Sequence, residues 1–115
     1  MAKTIRMWVD EVFKNSVEHG WWDGKASYDS RLDAIAENLL RIHSEVSEAA
    51  EAFVNDKIET YEKDGKPEGV FIELADVVIH VFVLAGACGV DLEHLIELKH
   101  AYNKTRPYRH GNKRI

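Results

Sequence analysis

The sequence predicts an all-α domain, on three observations. Apolar residues recur at alternating steps of three and four along most of the chain. The only two prolines, Pro67 and Pro107, stand where a helical pattern begins or stops, and neither internal repeats nor low-complexity stretches occur. The stretch richest in Val, Ile and Phe, which composition alone would assign to a strand, is too long and too regularly spaced for one. Together these divide the chain into four helical segments.

The first segment runs from about Thr4 to His19, with Ile5, Trp8, Val9, Val12, Phe13 and Val17 on one side and Gly20 as its stop. The following GWWDGKASYDS reads as a loop. A long amphipathic second helix starts at Ser30 or Arg31 and reaches Asp56 or beyond, placing Leu32, Ile35, Leu39, Ile42, Val46, Ala49 and Phe53 on one stripe. A polar stretch ending in DGKPEG breaks it, and Pro67 is placed to start the third helix through Phe71, Leu74, Val77, Val78, Val81, Phe82 and Ala85. Between Val77 and Cys88 that helix is apolar nearly all round, which predicts the most buried element. Gly89 and Asp91 supply a stop and then an N-cap for a fourth helix, roughly Leu92 to Lys104, which Pro107 terminates.

A chain of 115 residues with 45% hydrophobic residues supplies one core, and a second domain is not expected. Residues 1–106 are read as that domain and 107–115 as a basic tail. With 30% charged residues and no unbroken apolar run near the roughly 18 residues that span a bilayer, no membrane span is expected. Asp10 and Glu11 interrupt the N-terminus where a secretory signal would stay apolar, so the expected location is the cytoplasm. Cys88, the single cysteine, reads as a small buried hydrophobe. A net charge of -5 argues against general nucleic-acid binding, although its distribution is uneven. From Lys99 onward there are six Lys/Arg and no acid, which leaves -11 on the rest of the chain.

The informative feature is a set of four acids. Glu45 and Glu48 lie three residues apart on one face of the second helix, bordering its apolar stripe, and Glu73 and Asp76 repeat the arrangement on the third. A buried ionised carboxylate costs several kcal/mol unless something positive compensates it. None of the four has a Lys or Arg at i+4, so a bound cation is the simplest compensation. Oxygen-only ligands suit hard ions such as Mg²⁺ or Mn²⁺, and magnesium points to phosphate chemistry. The bland alternative is a solvated acidic face, since one E-x-x-E is common. The second pair, on the most apolar helix, is what distinguishes this chain.

E-V-S-E at 45–48, E-L-A-D at 73–76 and the 24 residues between Glu48 and Glu73 resemble the MazG-like branch of the all-α nucleoside triphosphate pyrophosphohydrolases, relatives of the dimeric dUTPases. The resemblance extends from the GWWDG loop to the closing KHAYNKTRPYRHG. It implies an oligomeric four-helix bundle, as a homodimer or homotetramer, that cleaves an NTP or dNTP to the monophosphate and pyrophosphate. Metal binding by Glu45, Glu48, Glu73 and Asp76 carries over, with Glu45 or Glu48 as general base. Lys99 and Asn103, four apart on the last helix, match residues that hold phosphate and sugar in similar enzymes. Arg106 and Arg109 add guanidinium forks suited to phosphate. His80, one turn after Asp76, faces either the nucleotide and metal or a hydrogen-bonded core position. Trp21 and Trp22 offer indoles that stack on a base or cap the core, and Trp8 belongs to the core or a subunit interface.

Two other readings compete. A di-iron bundle needs Glu-x-x-His on two helices, and only Glu97 to His100 fits. A non-catalytic helical protein of this fold would use the same acids to bind metal or a partner for regulation.

Overall fold

The computed structural model describes residues 2–22 and 28–115, with side chains of the second segment from residue 32 on. It is mostly helical, in the order α1 (Ile5–Glu18), α2 (Tyr28–Val54), a hairpin of β1 (Tyr61–Lys63) and β2 (Lys66–Glu68), α3 (Val70–Cys88), α4 (Leu92–Thr105) and a single turn α5 (Arg109–Asn112). Thr4 caps α1: its Oγ1 accepts from the Met7 N–H at 3.2 Å, satisfying a donor that the first helical turn leaves open. After α2, Asp56 takes a left-handed φ of 57°, and the Lys57 N–H reaches back to the Ala52 carbonyl at 2.8 Å.

The polar segment after α2 is a β-hairpin rather than a plain break. Asp64 and Gly65 both have positive φ, 54° and 80°, which matches the right-handed twist of two strands joined by a two-residue loop. Tyr61 then pairs with Glu68 and Lys63 with Lys66. Pro67 therefore sits in β2 instead of starting the third helix, and α3 begins three residues later at Val70. Gly69 makes that junction possible, because a Cβ there would meet the Glu59 carbonyl oxygen at 2.7 Å. Gly89 ends α3 in the left-handed conformation, and Asp91 caps α4 by accepting from the His94 N–H at 3.2 Å.

α3 lies between α2 and α1, and α4 rests on α1. Gly86 lets α1 approach closely, for a Cβ at that position would lie 2.6 Å from the Phe13 Cβ. Arg6 fastens α4 to α1, donating to Asp91 at 3.0 Å and pairing with Glu93, while Glu93 accepts from the Ile5 N–H at 3.1 Å. Among the described residues only Val9, Ala49, Val83 and Ala85 form the buried hydrophobic core, and α4 buries none of its residues. Of the element expected to be most buried, only Val83 and Ala85 are buried.

One helix bears on the expectation that the chain holds no membrane span. α3 has 19 residues and a mean hydropathy of 2.1, long and apolar enough to cross a membrane by length and composition. Counting unbroken apolar runs missed it because Glu73 and Asp76 interrupt the run near its start without lowering the average much. The same test is met by helices that lie in the core of soluble proteins, and α3 packs between two neighbours.

Candidate metal centre

The helical periods of α2 and α3 put both acid pairs on the faces that meet. Glu45, Glu48 and Glu73 each offer a ligand atom within 4.8 Å of the other two, and Glu45, Asp76 and His80 form a second such group. Glu45 is common to both. Among the described residues none of the four acids has an ion pair with Lys or Arg. The nearest cationic candidate is His80, whose Nε2 stands 3.5 Å from Glu45 Oε1 and 3.9 Å from Asp76 Oδ2.

Glu45 is the most confined of the set. Its Oε2 is buried and has no hydrogen-bond donor within reach among the described residues. Burial pushes its carboxyl up from the ordinary 4.5 to about 7, with the negative charges of Asp76 and Glu48 adding to the effect. Glu73 shifts upward as well, first through burial and then through Glu48, Asp76 and Glu68, against a partial offset from Lys66. Carboxylates whose proton affinity is raised by burial and by like charges are suited to a divalent cation, which offsets both. Around Glu45, Glu48 and Glu73 the donors are all oxygens, the set that Mg²⁺ and Mn²⁺ prefer. The imidazole of His80 beside Asp76 is the one departure from it.

A cavity of about 1280 Å³ opens beside the acids. Asn15, His19, Trp21 and Trp22 line it from the end of α1, Asn38, Arg41 and Glu45 from α2, and His80 and Val83 from α3. Trp22 serves two purposes at once: it lines the cavity and packs edge-on against Phe13, with centroids 6.4 Å apart. Trp21 is exposed, and the Arg41 guanidinium lies 5.6 Å from its ring centroid. Arg41 also pairs with Glu37 at 3.1 Å. Neither Arg41 nor Asn38 stands out in the sequence. The signal for Arg41 was its place one turn before Glu45, on the N-terminal side where an i+4 search does not look.

Lys99, Asn103 and Arg106 lie elsewhere. All three belong to α4 or its C-cap, and none lines the cavity. Lys99 Nζ and the Arg106 guanidinium flank the Tyr102 ring at 5.0 and 5.8 Å. Within one chain the structure thus gathers Glu45, Glu48, Glu73, Asp76 and His80, of which Glu45 and His80 also line the cavity with Trp22, and leaves the α4 cations outside it. Glu97 and His100, the half-motif of a di-iron site, are exposed and belong to neither acid group.

Comparison with protein-family models, with curated proteins and with solved structures finds no match to this chain.

Proposed function

We propose that this chain is a Mg²⁺-dependent nucleoside triphosphate pyrophosphohydrolase of the MazG-like kind, acting on the nucleotide pool of the cytoplasm. The observation that carries the reading is the convergence of two acid pairs on a buried, donorless Glu45 oxygen beside a cavity large enough for a nucleotide. The motif resemblance supplies the reaction class. Cleavage between the α- and β-phosphates consumes one water and releases monophosphate and pyrophosphate.

In this reading Glu45, Glu48, Glu73 and Asp76 hold Mg²⁺, with Mn²⁺ as a substitute. When bound, the ion neutralises triphosphate charge and makes a coordinated water more acidic. Glu45 or Glu48 serves as general base toward that water. Trp22 offers an indole face to the base, while Arg41 and Asn38 offer donors to the phosphates or the sugar. Lys99, Asn103 and Arg106 approach substrate only once α4 or a neighbouring copy closes over the acids. Self-association as a homodimer or homotetramer, completing a four-helix bundle, belongs to the same reading.

The test is direct. Purified chain incubated with Mg²⁺ and each common NTP and dNTP should release pyrophosphate from at least one of them, and Glu48→Gln should abolish release while circular dichroism reports unchanged helicity. If the folded chain binds Mg²⁺ and releases pyrophosphate from none, the non-catalytic reading takes its place. That reading draws on the absence of the α4 cations from the cavity.

A further inference from the structure

We propose that α4 and the basic tail bind single-stranded nucleic acid, with Lys99, Arg106 and the tail cations on its phosphates and Tyr102 and Tyr108 stacked on its bases. This goes beyond the hydrolase reading and uses a surface outside the cavity. Lys99, Tyr102, Asn103 and Arg106 follow one another at steps of three, one and three, which gathers them on one stripe of α4. The geometry agrees: Lys99 Nζ and the Arg106 guanidinium lie 5.0 and 5.8 Å from the centre of the Tyr102 ring. Nothing in the chain covers the tyrosines. α4 buries none of its residues, Tyr102 is 56% exposed and Tyr108 is 81% exposed.

The cations of this surface are not neutralised. Among the described residues none of the six from Lys99 to Arg114 has an ion pair, whereas Lys3, Arg6, Lys14, Arg41 and Lys66 each pair with an acid. The acids of α4 and its cap are engaged or turned away. Asp91 and Glu93 pair with Arg6, and Glu97 precedes Lys99 by two residues, a rotation of about 200° around the helix. The net charge of -5 acts weakly here, because charges farther than about 8 Å are largely screened at physiological ionic strength. A phosphate chain at α4 meets the local excess of cations.

Two features select a single strand. Tyrosines set among the cations offer π faces, and a base lies on such a face only when it is not already paired and stacked in a duplex. Lys99 and Arg106 are about 10 Å apart along the helix, and the tail continues the row of cations to Arg114, so successive phosphates of one strand can engage it. An anionic membrane fits less well. Surface helices of that kind set Leu, Phe or Trp beside their cations, whereas Tyr102 and Asn103 stand between Lys99 and Arg106. Stacking tolerates every base, so no sequence preference is expected.

The test is fluorescence anisotropy of the full chain with labelled oligo(dT) and oligo(U) of about twelve nucleotides, in EDTA so that no hydrolysis enters. Both should bind, and the tighter of the two tells DNA from RNA. The logarithm of the binding constant should fall with the logarithm of salt at a slope between about -2 and about -4, the steeper value being six cations at about -0.7 each. Tyr102→Ala should weaken binding roughly 5- to 150-fold, Tyr102→Phe should keep it, and Lys99→Gln with Arg106→Gln should flatten the slope by about 1.4. A second readout needs no variant: an oligonucleotide carrying 5-bromouracil, irradiated with wild-type chain, should cross-link to peptides that hold Tyr102 or Tyr108. Flat anisotropy, undiminished binding by Tyr102→Ala, or cross-links on Trp21 and Trp22 alone overturns the proposal. So does co-sedimentation with phosphatidylserine vesicles when neither oligonucleotide binds, which makes the partner a membrane. None of these readings uses pyrophosphate release, so this proposal and the hydrolase assignment can fail separately.

Discussion

Glu45→Gln in metal-free protein probes the acid cluster through stability alone. In the folded chain the Glu45 carboxyl titrates at about 7 against an ordinary 4.5. The folded state therefore binds more protons than the unfolded one between those values, and stability falls as pH rises through that window. At about 1.4 kcal/mol per pH unit, the whole window amounts to about 3 kcal/mol at most. Glu73 shifts in the same direction and adds to the fall. Asp91, held down by Arg6, acts only below the ordinary carboxylate range and leaves this window untouched. The neutral amide of Glu45→Gln removes the Glu45 share while keeping the shape. In chelator, at one fixed protein concentration, thermal unfolding of wild type should drop between about pH 5 and about pH 8. The variant should drop less, and at the upper pH its Tm should exceed that of wild type by up to roughly 10 °C. Adding Mg²⁺ at the upper pH should close or reverse the gap, because only the carboxylate binds the ion. A wild type as stable at the upper pH as at the lower, with a variant that is weaker there, would refute the reasoning: the acids would then be ordinary solvated groups.

Two further outcomes follow from the packing. Gly86→Ala should lower the Tm by several degrees, because the new methyl would lie 2.6 Å from the fixed Phe13 Cβ; overpacking of about 1–3 kcal/mol outweighs a helix-propensity gain of about 1 kcal/mol, and a stabilised variant in calorimetry would contradict the close α1–α3 approach. Arg6→Ala should speed amide hydrogen exchange in α4 while α3 keeps its protection, since Arg6 is the side chain that ties Asp91 and Glu93 to α1. High salt should reproduce part of that effect in wild type.

The helices were legible wherever an apolar period met a capping residue. Asp91 accepts at the start of α4, and Gly89 turns left-handed at the end of α3, as the sequence suggests. The β-hairpin was hidden because its strands, Tyr61–Lys63 and Lys66–Glu68, show no apolar alternation and stay largely exposed. Asp64-Gly65 was the available signal, and Pro67 drew the reading toward a helix start instead. Convergence of the acids was legible because i, i+3 spacing fixes a face of each helix, and adjacent apolar residues fix which way that face turns. Position across the fold was not. Nothing in the local pattern of Lys99, Asn103 and Arg106 says that α4 packs on α1 outside the cavity, since that depends on how helices cross rather than on where one helix points. Exposure of α4 and of part of the apolar stripe of α2 is likewise invisible in a sequence, because such a stripe looks the same whether its own chain or another copy covers it.

The most direct test of the account is an anomalous-scattering map of crystals grown with Mn²⁺. The account predicts a peak between α2 and α3, about 2.0–2.2 Å from carboxylate oxygens of Glu45, Glu48, Glu73 and Asp76. Saturating Mn²⁺ with no peak there, or a peak only on other residues, would contradict it.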